Sequence, residues 1–177
     1  MSAPDAALRL RAGRVVPPFH VLLVEPEIPP NTGNVARLCA ATQSRLHLIE
    51  PLGFRIDEHS VRRAGLDYWP LVDLHRHSSY ASATAAIRAG DAQTRFWLLT
   101  GKASRSYLDV KFQPGDALVF GKESTGLDQA LLDRFPADVF GIPTIGAVRS
   151  LNLANAVSIV LYEALRCAGV LDRAAPG

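Results

Sequence analysis

Along the chain, short continuous apolar runs alternate with stretches in which apolar residues return every three or four positions. The runs at 20–24, 46–49, 96–100, 117–120 and 139–142 have strand length and end near glycine or proline, which predicts buried parallel strands. A weaker run at 70–75 predicts a sixth. Between the first two, Val35, Leu38, Cys39 and Thr42 fall at i, i+3, i+4 and i+7, one inward helical stripe. Asn31 or Thr32 is its expected N-cap. Asn34 and Arg37, three apart, share a face roughly opposite that stripe. Further helices are expected at 80–88, at 128–135 with Asp128 favourably near the start, and at 151–168.

The last helix has almost no polar side. Leu153, Val157, Val160, Leu161 and Ala164 form one stripe, and Ala154, Ala156, Ile159 and Leu165 fill much of the remainder. A helix apolar nearly all round is a buried one. In so small a domain, burial on both sides predicts a subunit interface and hence a homodimer. The alternation as a whole predicts an α/β domain, a mostly parallel sheet covered by helices.

Three polar, glycine-containing islands follow apolar runs: Pro30 to Arg37 with Gly33 and Asn34, Phe120 to Leu127 with Gly121, Glu123 and Gly126, and Ile142-Pro143 leading to Ser150-Leu151-Asn152. Ligands of parallel sheets bind beyond the carboxyl ends of the strands, where these islands sit. Asn152 and Asn155 lie on an apolar helix and are expected to bind backbone and so fix the ligand loop. Ser150 is a candidate cap for that helix.

At 177 residues, 48% apolar and 20% charged, the composition fits one globular domain at 19–171, with a flexible tail over 1–18 and a short C-terminal tail over 172–177. A net charge of +2 identifies no partner, yet only three of the nineteen basic residues are lysines. Arginine's planar fork suits phosphate, although a GC-rich gene gives the same bias. Arg62 and Arg63 stand close to Tyr68 and Trp69, a mixture that suits RNA, with phosphates on arginine and unstacked bases on rings. Cys39 and Cys167 are too few and too far apart for a disulfide framework or zinc cluster. No apolar run has the length of a membrane span and the N-terminus lacks a signal-peptide core, so the expected compartment is the cytoplasm.

Several signatures fail. The stretch from Gly115 to Lys122 is one residue too long for a phosphate-binding loop, and Glu123 replaces its Ser/Thr; the serine at 124 is one place late for a nucleophile elbow. No glycine-rich dinucleotide fingerprint follows the first strand, which disfavours an oxidoreductase. His75 and His77 share one side of a strand, but nothing near them in sequence completes a ligand set, so no metal is expected.

Taken together, the three islands resemble the motifs of the SPOUT class of RNA methyltransferases, and within it the small tRNA 2′-O-methyltransferases that act on the wobble cytidine or uridine. Pro30-x-Thr32-Gly33-Asn34-x-x-Arg37, Phe120-Gly121-x-Glu123-x-x-Gly126-Leu127 and Ile142-Pro143 with Ser150-Leu151-Asn152-x-x-x-Ala156 carry the likeness, with the segments 25–30 and 62–68 pointing to the wobble subgroup. Lys122 departs from the proline common among relatives.

The resemblance implies a C-terminal deep trefoil knot, which general topology rules would not have anticipated. It implies S-adenosylmethionine as cofactor, held by Leu99, Gly121, Glu123, Ile142, Ser150 and Leu151, with Gly121 leaving the cofactor room. It also implies a tRNA anticodon stem-loop as partner, touched by Arg62, Arg63 and Tyr68, and Arg37 with Asn34 as catalytic residues. Arginine, with a pKa above about 12, is a poor base. Arg37 is therefore expected to hold the attacking hydroxyl and stabilise the developing alkoxide. Methylation of another tRNA or rRNA nucleotide, and a non-catalytic RNA-binding dimer on the same fold, stay open.

Overall fold

A computed structural model describes residues 10–54, 68–148, 150–172 and 175–176. Its centre is a six-stranded sheet built from β2 (His20–Val24), β3 (Arg45–Ile49), β4 (Asp73–His77), β5 (Phe96–Leu99), β6 (Ala117–Phe120) and β7 (Val139–Phe140). The order is β4-β3-β2-β6-β5-β7, and every pairing is parallel. One cross-sheet row runs His75, His47, Leu22, Val119, Leu98, Val139, polar at one edge and apolar through the centre.

Successive residues of a strand face opposite ways, and the two faces hold separate cores. Val21, Leu23, Leu46, Leu48, Leu118 and Phe120 pack with α1 (Pro29–Thr42) and the C-terminal helix, α4 (Leu153–Cys167). Leu22, Ile49, Leu98 and Val119 pack with α2 (Tyr80–Gly90) and α3 (Gln129–Arg134). Val157, Val160 and Leu161 of α4 are fully buried, each stabilising the fold by about 1.5–3 kcal/mol. The expected tails meet: β1 (Leu10–Arg11) pairs antiparallel with β8 (Ala175–Pro176), and Gly13 N–H donates to Val170 O.

Several boundaries differ from expectation for local reasons. The strand expected over 139–142 stops at Phe140, because the next residue turns to another partner. Gly141 N–H donates to Arg105 O, and Gly141 O accepts from Tyr107 N–H. A Cβ on Gly141 would lie 2.7 Å from Thr100 O, so the chain crosses there only without a side chain. The strand expected at 70–75 occupies 73–77 instead, preceded by a single 3₁₀ turn at Trp69–Leu71 that takes up the proline. At the other end of the chain, Asn152 rather than Ser150 caps α4, accepting from Ala154 N–H and Asn155 N–H, so the helix begins at Leu153. Asn155 is exposed, not a buried amide.

The first helix begins earlier than expected, at Pro29, since proline suits a first turn whose N–H groups have no helical partner. Asn31 and Thr32 therefore lie inside it and are buried. The N-cap position belongs to Ile28, which has no polar side chain, and its capping is supplied from elsewhere in the chain.

His75 and His77 belong to a histidine cluster rather than standing alone. His20 Nδ1 lies 2.9 Å from His47 Nε2, and His47 Nδ1 lies 2.9 Å from His77 Nε2. His75 stacks on His47 and pairs with Asp73 at 2.8 Å, a carboxylate neighbour that the reading of the sequence overlooked. Among the described residues no group of three or more His, Cys, Asp or Glu is placed to hold a metal ion. A neutral imidazole has one N–H and one acceptor, so the chain is satisfied with all its donors pointing the same way.

Candidate active site

Beyond the carboxyl ends of β5, β6 and β7, beside the N-terminus of α1, lies a cavity of about 590 Å³. That is the size of a nucleoside-bearing ligand site. It occupies the side of the sheet where β2 and β6 adjoin and the strand order reverses, the usual ligand position of open parallel sheets. Leu99, Gly121, Glu123, Ile142, Ser150 and Leu151 all line it. Three chain segments separated by tens of residues are thereby gathered into one wall, in the region where the family resemblance places a knot.

What joins the three polar islands there is a relay through the buried Asn31. Its Nδ2–H donates to Glu123 Oε1 at 3.0 Å, and its Oδ1 accepts from Asn152 Nδ2–H at 2.9 Å. One amide thus connects the first island to both others. Glu123 also accepts from the backbone N–H of Glu27 at 2.8 Å and of Ile28 at 3.2 Å. This carboxylate is the missing cap of α1, and its charge suits the positive end of the helix. Glu123 therefore faces the cavity while its oxygens bind protein groups.

The loop is fastened in return. Ser124 N–H and Oγ–H donate to the Glu27 carboxylate at 2.9 and 2.8 Å, which holds that carboxyl below its ordinary range. Lys122 pairs with Glu25 at 2.6 Å, so the departure from proline has an ionic partner. That bond to Glu25, ahead of the carboxylates of Asp128 and Glu27, raises the Lys122 pKa and keeps it charged. Glu25 itself sits at φ 51°, a left-handed conformation uncommon for a residue with a side chain.

Gly121, on the cavity wall, also has a reason within its own loop. A Cβ there would run into the Gly126 carbonyl carbon and the Leu127 nitrogen of its own loop. The glycine is required by that close backbone approach, whereas Gly126 supplies the turn at φ 73°.

Asn34 and Arg37 are exposed on α1, outside the cavity lining. Arg37 lies with its guanidinium carbon 5.0 Å from the centroid of the Tyr68 ring, and the Tyr68 hydroxyl donates to Gly33 O at 2.8 Å. Arg62 and Arg63 lie outside the described residues. Reading the sequence missed Asn31 as a relay, and missed Thr100, Lys102 and Thr144, which also line the cavity; only the polarity of residues beyond a strand end could have marked them.

The residues match a family model, the SpoU rRNA Methylase family, over 18–162. The chain belongs to that family. A tRNA (cytidine(34)-2'-O)-methyltransferase of Burkholderia pseudomallei (strain 1106a) is 50% identical over 152 residues, covering 85% of this chain and 96% of the relative. The protein of the same name from Escherichia coli (strain K12) is 48% identical over 85% of this chain and 94% of its own. A solved structure concerned with the 2-OH methylation of C/U34 on tRNA matches with a TM-score of 0.77 at 46% identity, over 84% of this chain and 95% of that one. A SpoU methyltransferase from Streptomyces viridochromogenes, solved in complex with AdoMet, matches with a TM-score of 0.68 at 26% identity, over 94% of this chain and 62% of that one.

The cavity's own chemistry fits such a cofactor. Leu99, Ile142, Leu151 and Leu153 offer apolar contact, while Thr100, Thr144 and Ser150 offer hydroxyls at the same wall. An apolar pocket with a few convergent polar groups is what an adenosine with a charged tail needs.

Proposed function

We propose that this chain transfers the methyl group of S-adenosylmethionine to the ribose 2′-hydroxyl of the wobble cytidine or uridine, nucleotide 34, of tRNA. The observation that carries the reading is 50% identity reaching across 96% of a relative named for that reaction, so the likeness is not confined to a shared cofactor module. The cofactor supplies an electrophilic methyl group on a sulfonium sulfur. Leu99, Ile142 and Leu151 would hold its apolar parts, with Ser150 and the backbone after Gly121 fixing its polar edges. Glu123 acts through α1 and Asn31, keeping the first and third islands in register with that loop.

Arg37 holds the attacking 2′-hydroxyl and a neighbouring phosphate, and its charge stabilises the alkoxide as it forms. The hydroxyl proton leaves to phosphate or water, since a guanidinium is a poor base. Asn34, one helical turn earlier on the same face, positions Arg37 or the backbone beside it. Arg62 and Arg63 are the proposed contacts to the anticodon stem-loop, and residues 19–171 the catalytic domain. A homodimer forms through α4, where Ile159 and Tyr162, three residues apart on one face, are 37% and 49% exposed. Among the described residues no helix is long and apolar enough to cross a membrane, and the cytoplasm is the proposed compartment.

The deciding experiment is transfer of labelled methyl from S-adenosylmethionine to tRNA lacking this modification, with the labelled nucleotide mapped. Label on the ribose of nucleotide 34 is the expected result; label elsewhere in RNA, or none, refutes the assignment. Arg37→Lys should lose about two orders of magnitude in kcat, the scale of a removed transition-state donor. Near-wild-type turnover would sink the argument from the guanidinium's fork.

A further inference from the structure

We propose that Tyr68 is a positioning residue for Arg37, its ring holding the guanidinium and its hydroxyl pinning the helical turn from which Arg37 projects. This inference rests on the methyl-transfer reading and deepens it. Two separate contacts carry it: Arg37 Cζ over the Tyr68 ring at 5.0 Å, and Tyr68 Oη–H donating to Gly33 O at 2.8 Å.

Gly33 is four residues before Arg37 in α1, so its carbonyl also faces the Arg37 N–H along the helix. One aromatic side chain therefore grips both the backbone turn and the charged end of the same catalytic candidate. Tyr68 is itself anchored. Its carbonyl accepts from Leu71 N–H at 2.9 Å in the 3₁₀ turn, and its ring packs against the core cluster that includes Val35 and Cys39.

The choice of an aromatic partner matters chemically. A carboxylate would hold the guanidinium by consuming its N–H groups. A ring attracts the cation through its π face and takes none of those donors. Arg37 stays oriented while its fork remains available to a ribose hydroxyl and a phosphate. An exposed arginine otherwise samples many rotamers, and ordering it before substrate arrives is the kind of preorganisation that raises turnover.

The alternative role for Tyr68 is a stacking platform for an RNA base, and the two roles separate experimentally. With the full chain and unmodified tRNA, kcat, tRNA affinity and Tm would be measured for Tyr68→Leu, Tyr68→Phe, Arg37→Ala and the Arg37→Ala/Tyr68→Leu double variant. The expected result for Tyr68→Leu is a 10- to 100-fold fall in kcat with tRNA Kd changed less than about threefold. Tyr68→Phe, which keeps the ring, should recover most of that loss, and the double variant should be no slower than Arg37→Ala alone. A retained kcat with weakened tRNA binding in Tyr68→Leu overturns the proposal in favour of base stacking.

A second readout does not depend on turnover. The Arg37 side-chain NMR resonances should be ring-current shifted in wild type and in Tyr68→Phe, and lose that shift in Tyr68→Leu. Unshifted wild-type resonances overturn the proposal. Absence of methyl transfer by the wild-type chain would instead count against the methyl-transfer reading, while the resonances still report whether Tyr68 holds Arg37.

Discussion

Lowering the pH from 7.5 to 5 should destabilise the fold through the histidine chain on β2, β3 and β4. His20 is 5% exposed and His47 3% exposed. Burial, with the charges of Arg45 and His75 adding to it, pushes the His20 pKa from 6.5 down to about 4. Burial drives His47 down as well, and His77 in the same direction. These groups stay neutral in the folded chain across a range where the unfolded chain takes up protons. The stability they contribute is therefore complete above the unfolded pKa of 6.5 and is lost as the pH falls toward the folded value. For His20 alone, integrating from pH 7.5 to 5 gives a loss of about 2 kcal/mol; His47 and His77 add to it. For a domain of this size that is a fall in Tm of roughly 4–8 °C. Urea unfolding at pH 7.5, 6 and 5, with an unchanged m-value, is the assay. A His20→Asn variant should show a shallower dependence by up to about 1.4 kcal/mol per pH unit. Stability constant to within about 0.5 kcal/mol across this range would refute the reasoning, because it would mean that His20 gains its proton in the fold as easily as in water.

Other consequences follow from single contacts. Gly121→Ala places a methyl group against the Gly126 and Leu127 backbone, so the loop must move, and calorimetry should show at least about tenfold weaker S-adenosylmethionine binding, equivalent to 1.4 kcal/mol. Asp116, 3% exposed, accepts from Arg95, Trp97 Nε1–H and Gln113 N–H; Asp116→Ala removes that shared acceptor, and because Arg95 is 41% exposed and keeps its bond to Lys111 O the cost in urea unfolding should be about 1–3 kcal/mol. Asn31→Asp replaces an N–H donor by an oxygen facing Glu123 at hydrogen-bond distance. It should lower stability by about 1–3 kcal/mol, measured by thermal unfolding, and weaken cofactor binding.

The sheet was legible because its central strands are buried on both faces. Leu22 and Val119 look to one core and Val21 and Leu118 to the other, which leaves continuous apolar runs in the sequence. The cavity residues were legible because Gly121 directly follows one such run and Ile142 closes another, two residues past the strand's end. What escaped was set by pairings far apart in sequence. Nothing local around Glu123 announces that it caps a helix 95 residues earlier, at Ile28. The histidine chain depends on the register that lays Leu22 beside His47 and His47 beside His75. Ile28 as N-cap was hidden because it has no polar side chain to mark the position; Pro29 and Pro30 bring no N–H to the first turn, and Asn31 N–H and Thr32 N–H both donate to Ile28 O.

That arrangement bears on how the site is assembled. A helix start normally carries its own cap, so its position is settled locally. Here the cap of α1 is Glu123, on the loop after β6, and the loop in turn depends on Glu27 through Ser124 and on Glu25 through Lys122. Asn31 then transmits the same constraint to Asn152, the cap of α4. The start of α1 is thus bonded directly to the β6 loop, and the start of α4, capped by its own Asn152, is tied to that loop through Asn31. The exposed face carrying Asn34 and Arg37 is consequently placed by the same contacts that close the cavity wall. Coupling of this kind suits the two-substrate chemistry proposed above, in which a hydroxyl held by Arg37 on the α1 side would have to be aligned with a methyl group held beyond β5, β6 and β7.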